Sequence, residues 1–219
     1  MKTRTALATP RYRDAAVGGC VGMRVRRRAD GTTLVRSTEP LLPYPQRFTD
    51  ALENWARVAP RRTLVAERGA DGTWQKISYA QMRGRVRAVG QYLVAAGLSV
   101  ERPLMVLSGN DTEHLTLMLA AAWVGVPCVT VSTAYSLVSQ DHSKLRHIVN
   151  NGTPGLVYAS HPAYARAIAA TLGPDTAVVL GRGELEGRVV QTMPTLLATA
   201  PGPAVDAAHA KVNADTILK

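Results

Sequence analysis

Residues 103–132 read Pro103-Leu104-Met105-Val106-Leu107-Ser108-Gly109-Asn110-Asp111, then Thr112-Glu113-His114-Leu115-Thr116-Leu117-Met118-Leu119-Ala120-Ala121-Ala122-Trp123-Val124, then Gly125-Val126-Pro127-Cys128-Val129-Thr130-Val131-Ser132. The first five residues form an apolar run of strand length, and Ser108-Gly109-Asn110 breaks it. Asp111 can cap a helix over Thr112–Val124, because its short carboxylate accepts from amides that the first helical turn leaves unpaired. Gly125 stands where a left-handed helix terminator belongs, with Pro127 two residues on. Cys128–Val131 is a second strand. Apolar runs on both sides of a helix predict parallel strands buried on two faces, the βαβ unit. Ligands of such sheets bind at the carboxyl ends of the strands.

Working outward, the same alternation recurs. Helix is expected over 141–150, strand over 155–159, helix over 163–172 and strand over 177–180. Ser132 to Val138 reads as a loop. Upstream, Thr63–Glu67 and Trp74–Ile77 flank Gly69-Ala70-Asp71-Gly72 as a hairpin. Ser78 caps a long helix, Tyr79–Ala96, whose apolar stripe is Met82, Val86, Val89 and Leu93 and which Gly97 closes. Phe48, Leu52 and Trp55 mark a short helix ending before Pro60, with Thr49 as its cap. Nearer the start, Met23–Arg28 and Thr33–Ser37 surround Ala29-Asp30-Gly31-Thr32 as a further hairpin, and the prolines of 40–45 make an extended connector. Beyond Gly181 the periodicity weakens, until Asp215–Lys219 reads as the start of another strand. The expected architecture is α/β: a partial doubly wound, mostly parallel sheet with helices on both faces, preceded by an N-terminal β-hairpin region. The expected division is a basic arm with hairpin and connector over 1–45 and an α/β subdomain over 46–219.

The 219 residues carry a net charge of +10 and are 46% hydrophobic, which fits a globular chain. The charge is uneven. Residues 1–36 hold nine Lys or Arg against Asp14 and Asp30, a balance of +7, and the rest hold seventeen against fourteen, or +3. A basic arm can contact nucleic acid or an anionic surface. Without interleaved aromatic residues for base stacking, a solvated hairpin edge accounts for it better. Met1 to Pro10 lacks the apolar core of a secretory signal. The longest apolar run, Leu115–Val131, is broken by Gly125 and Pro127 and is shorter than the roughly 20 residues of a membrane span. Cys20 and Cys128 have neither metal nor disulfide-framework spacing. A cytoplasmic protein with reduced thiols, and without nucleic-acid or membrane partners, is the expectation.

His114, His142, His147, His161 and His209 show no zinc-like spacing, so no metal site is expected. Gly181-Arg182-Gly183 and Gly18-Gly19-Cys20-Val21-Gly22 lack the strand-then-helix setting of a dinucleotide fingerprint and read as turns. Ser139, Asp141 and His142 are too close together to form a catalytic triad. Ser108, Asn110, Ser132 and Tyr135 follow strands and so fall on the ligand-binding edge. The favoured account is that Asn110 and Ser132 organise turns and that Tyr135 packs; on the functional account the four residues line a substrate or CoA channel.

Three segments also carry a family pattern. Thr73-Trp74-Gln75-Lys76-Ile77-Ser78-Tyr79-Ala80-Gln81-Met82 is similar to "W-x-x-x-T/S-Y-x-E-L". Gly97-Leu98-Ser99-Val100-Glu101-Arg102-Pro103, followed by Asn110 and Glu113, is similar to "G-V-x-x-G-D-R-V" and "N-x-x-E". Leu119 to Pro127 is similar to "A-x-x-x-A-G-A-V-x-x-P". Over residues 20–219 the chain resembles the N-terminal part of adenylate-forming acyl-CoA synthetases. It departs mildly at Gln81-Met82 and Glu101-Arg102-Pro103. Within that family, Ser132 to Asp141 and Lys144-Leu145-Arg146-His147 look most like feruloyl-CoA synthetases.

The resemblance implies an ATP-dependent acid–CoA ligase, with ATP, magnesium and coenzyme A as cofactors and a hydroxycinnamate such as ferulate as substrate. The family's phosphate loop would follow Asp215–Lys219. The 219 residues alone are therefore expected to be inactive, to bind no cofactor tightly and to expose a strand edge that favours self-association. No residue among them is expected to be catalytic. Two other classes stand beside this one: a non-catalytic binding or assembly module, and a basic binder of nucleic acid or anionic surfaces.

Overall fold

A computed structural model describes residues 22–219. Cys20, the run Gly18–Val21 and the first ten residues lie outside the described part. The chain divides into two units, Met1–Tyr44 and Pro45–Lys219.

In the first unit, β1 (Met23–Arg27) and β2 (Thr33–Ser37) pair antiparallel, with Val25 opposite Val35 and Arg24 opposite Arg36. The turn is closed by Asp30, whose carboxylate accepts from the Thr32 amide at 2.8 Å. Both strands are exposed along their length.

The second unit opens with α1 (Asp50–Val58) and the hairpin of β3 (Thr63–Arg68) and β4 (Trp74–Ser78). Helix α2 (Tyr79–Ala95) starts from a capping box. The Ser78 hydroxyl accepts from the Gln81 amide, and the Gln81 side chain accepts from the Ser78 amide. Then come β5 (Leu104–Leu107), α3 (Thr112–Val124) and β6 (Cys128–Thr130), the expected βαβ unit. Asp111 caps α3 through the His114 amide at 2.6 Å. Gly125 ends it with φ +73°, a conformation that costs a side-chain-bearing residue steric strain.

A short α4 (Ala134–Leu137) occupies the expected loop. It leads to α5 (Ser143–Gly152), β7 (Leu156–Ala159), a 3-10 turn at Pro162–Tyr164, α6 (Ala165–Thr171) and β8 (Ala177–Leu180). Beyond Gly181, where the sequence pattern fades, lie β9 (Gln191–Thr192), α7 (Met193–Leu197) and α8 (Pro203–Lys211). Asp215–Lys219 forms no strand; the Cys128 amide donates to the Leu218 carbonyl at 2.9 Å beside β6.

The five parallel strands run in the order β6-β5-β7-β8-β9. Successive side chains point to opposite faces. Leu104, Val106, Leu156, Tyr158 and Val179 pack against α2, α3, α7 and α8. Met105, Leu107, Val157, Ala159, Val178 and Leu180 pack against α5 and α6. The sheet is thus doubly wound, and its three central strands, β5, β7 and β8, are too buried to show polar–apolar alternation.

Candidate functional site

The chain leaves β5 over one face of the sheet, to α3, and leaves β6 and β7 over the other, to α5 and α6. Where connections diverge in this way, a crevice opens outside the carboxyl ends of the strands. A cavity of about 380 Å³ lies there, lined by Ser108, Gly109, Asn110, His114, Thr130, Val131, Ser132 and Thr133.

Three of the four expected lining residues meet in this crevice. Ser108 is buried; its hydroxyl donates to the Gly109 carbonyl at 3.0 Å and lies 3.0 Å from His114 Nδ1. Nδ1 is also 2.9 Å from that carbonyl, which can only accept, so Nδ1 carries a hydrogen. Asn110 and Ser132 are exposed at the rim, and the Ser132 carbonyl accepts from the Tyr135 amide to start α4. Tyr135 stands apart. It packs on the core cluster beside α5, and the Lys144 ammonium sits 5.3 Å from its ring centre.

Asn110 also borders a second, more polar cavity of about 490 Å³ over the ends of β7 and β8, with Glu67, Asp111, Glu113, Tyr158 and Arg182 in its walls. The Tyr158 hydroxyl donates to Glu113 Oε2 at 2.5 Å. Burial pushes the Glu113 carboxyl above its ordinary value, and the Asp111 and Glu67 carboxylates push the same way; the Tyr158 hydrogen bond and Arg85 oppose them. Tyr158 is pushed up as well, by burial first and then by its hydrogen bond to Glu113. A Cβ on Gly181 would sit 2.6 Å from Glu113 Oε2 and 2.7 Å from the Tyr158 hydroxyl, so only glycine leaves room for the pair. Sequence reasoning did not put Tyr158 in a site. Its signal was a phenol at the end of an otherwise apolar strand, which needs a partner when buried.

The residues present do not suit a magnesium-bound triphosphate. A phosphate site at a helix start uses free amides and positive charge. Here the amides of α3 serve the chain's own carboxylates: Thr112 donates to Glu67 at 2.9 Å and His114 to Asp111. Among the described residues no group of three His, Cys, Asp or Glu could hold a metal ion.

The model of the AMP-binding enzyme family matches residues 52–211. Among solved structures, the fold is similar to an acyl-CoA synthetase of Brucella canis, with TM-score 0.59 at 17% identity over 72% of this chain and 28% of that one. It is also similar to an acetoacetyl-CoA synthetase of Streptomyces lividans, with TM-score 0.57 at 16% identity over 72% and 26%. A fatty acyl-adenylate ligase of Legionella pneumophila, solved with acyl adenylate and pyrophosphate, gives TM-score 0.51 at 15% identity over 72% and 26%. The chain spans little more than a quarter of each of these proteins, and at such identities the likeness establishes the fold alone. No curated protein sequence matches significantly. With the family model covering most of its length, the chain belongs to the AMP-binding enzyme family.

Proposed function

We propose that this chain is the N-terminal α/β part of an ATP-dependent acid–CoA ligase, which couples a carboxylic acid to AMP and then passes the acyl group to coenzyme A. The observation that carries the reading is the family match over 52–211 on a doubly wound sheet with a crevice at the carboxyl ends of β5 and β6. Ser108, Asn110 and Ser132 offer hydroxyl and amide groups at that crevice and line a substrate path; His114 fixes the Ser108 hydroxyl. Their part is binding and orientation. A hydroxycinnamate such as ferulate is the acid, on the resemblance of Ser132–Asp141 and Lys144–His147 to feruloyl-CoA synthetases. The protein acts in the cytoplasm, and among the described residues no helix is long and apolar enough to cross a membrane.

Because the described residues do not suit the triphosphate, residues 1–219 alone are expected to release no pyrophosphate. The test measures acid-dependent pyrophosphate release by the product of the full open reading frame, with ferulate, benzoate and octanoate as candidate acids. Release with ferulate, blunted by Asn110→Ala or Ser132→Ala through KM, is the expected result. Release only with octanoate would remove the hydroxycinnamate assignment and leave the ligase reading intact.

A further inference from the structure

Helix α8 is held to the rest of its unit by two latches of different chemistry. Near its start, the Gln91 amide oxygen accepts from the Gly202 and Val205 amides at 3.1 and 3.2 Å, and Arg87 pairs with Asp206 at 2.7 Å. Near its end, the His209 ring stacks on Trp123 of α3, with centres 3.9 Å apart and planes at 11°. His209 Nε2 lies 3.0 Å from the hydroxyl of Thr49, which is buried. Thr49 precedes α1 but spends its hydroxyl on this contact rather than on capping that helix.

The surroundings of the imidazole suit its neutral form. Asp50, Glu53 and Asp206 face it, yet each is already paired with an arginine: Arg47 at 2.8 Å, Arg83 at 3.0 Å and Arg87 at 2.7 Å. A positive ring there finds no free carboxylate. Burial and the nearby Arg47 both oppose its protonation, and together they outweigh the three acids, so the ring gains its proton less readily than a free histidine.

From this geometry we infer that His209 is an acid-sensitive latch, whose protonation frees the C-terminal half of α8 while the Gln91 and Arg87 contacts keep the N-terminal half in place. Release widens the apolar groove that Ala207 and Ala208 share with Val94, Leu98 and Val124. Stability held by the neutral ring is complete above the free-histidine value of 6.5 and is lost as pH falls below it. The amide latch carries no titratable group, and the Arg87–Asp206 pair makes no bond to the ring.

The test uses the 219-residue chain with Trp55→Phe and Trp74→Phe, so that Trp123 alone emits. Between pH 7.5 and 5 its emission is expected to shift with one midpoint below 6.5. Corrected for the intrinsic pH dependence of exchange, amide protection should fall several-fold at 207–211 and stay unchanged at 202, 204 and 205. His209→Phe keeps the stack without the proton, and His209→Gln keeps a bond to Thr49 without the charge; both should be flat over that range. The latch is overturned by a flat response in the parent chain, by an equal shift in the two variants, or by simultaneous loss of helix signal across the whole molecule.

Discussion

The Tyr158 hydroxyl and the Glu113 carboxyl meet at 2.5 Å, joining the end of β7 to the first turn of α3 across 45 positions of sequence. Gly181, on the neighbouring strand end, leaves the space in which they meet. Removing the donor with Tyr158→Phe leaves a half-buried carboxyl short of a partner and should cost about 1–3 kcal/mol. Gly181→Ala drives a methyl against both groups and should cost a similar amount, on the order of 1–3 kcal/mol. Urea unfolding of the two variants checks this; midpoints equal to that of the parent would show that the pair does not tie the edge together.

The same carboxyl imposes a pH dependence of definite sign. Its value is raised in the fold, chiefly by burial, so the folded chain holds that proton more tightly than the unfolded chain does. The stabilisation is complete below the ordinary value of 4.5 and declines as pH rises through the folded value. Asp30, Asp71, Glu101 and Asp141 are lowered, each chiefly by a hydrogen bond, and act in the opposite direction. The comparison therefore lies between parent and Glu113→Gln. Glu113→Gln should lose less stability than the parent between pH 4.5 and 7.5 by denaturant titration, and parallel curves would refute the assignment.

Gly125 carries φ +73°, and a side chain there would meet Val212 Cγ2 at 3.3 Å. Gly125→Val should therefore destabilise by about 1 kcal/mol or more, while Gly125→Asn, which tolerates the left-handed region, should cost less. Equal thermal melting of the two variants would contradict the helix-terminating role.

Burial pushes the Cys128 thiol up to about 12, so at pH 8 it is a thiol and a poor nucleophile. In a Cys20→Ser background the folded chain should leave a thiol reagent unreacted over minutes and consume one equivalent once denatured. Rapid reaction in the folded state would place Cys128 at an accessible edge.

What local sequence could show and what it could not is clear from four helices. Asp111 and Ser78 cap through neighbours three residues away, and both helix starts were legible. Thr49 has the same chemistry, but its hydroxyl goes to His209, 160 positions away, and local reading gave it the wrong partner. Helix α8 was not foreseen at all. Its alanines make no apolar stripe, and the oxygen that serves its first amides belongs to Gln91, 111 positions from Gly202. Asp215–Lys219 has the composition of a strand but makes one ladder-like bond to β6. Ser108, Asn110 and Ser132 come together in one crevice because parallel strands bring their ends together. Tyr135 lies apart from them because α4 turns it back onto the core.

The most direct measurement follows pyrophosphate released from ATP with ferulate and coenzyme A, comparing the product of the full open reading frame with residues 1–219 alone. Ferulate-dependent release and CoA consumption from the first, with silence from the second, is the expected result. Adenylate formation by residues 1–219 alone, or no release from the full product with any carboxylic acid offered, would contradict it.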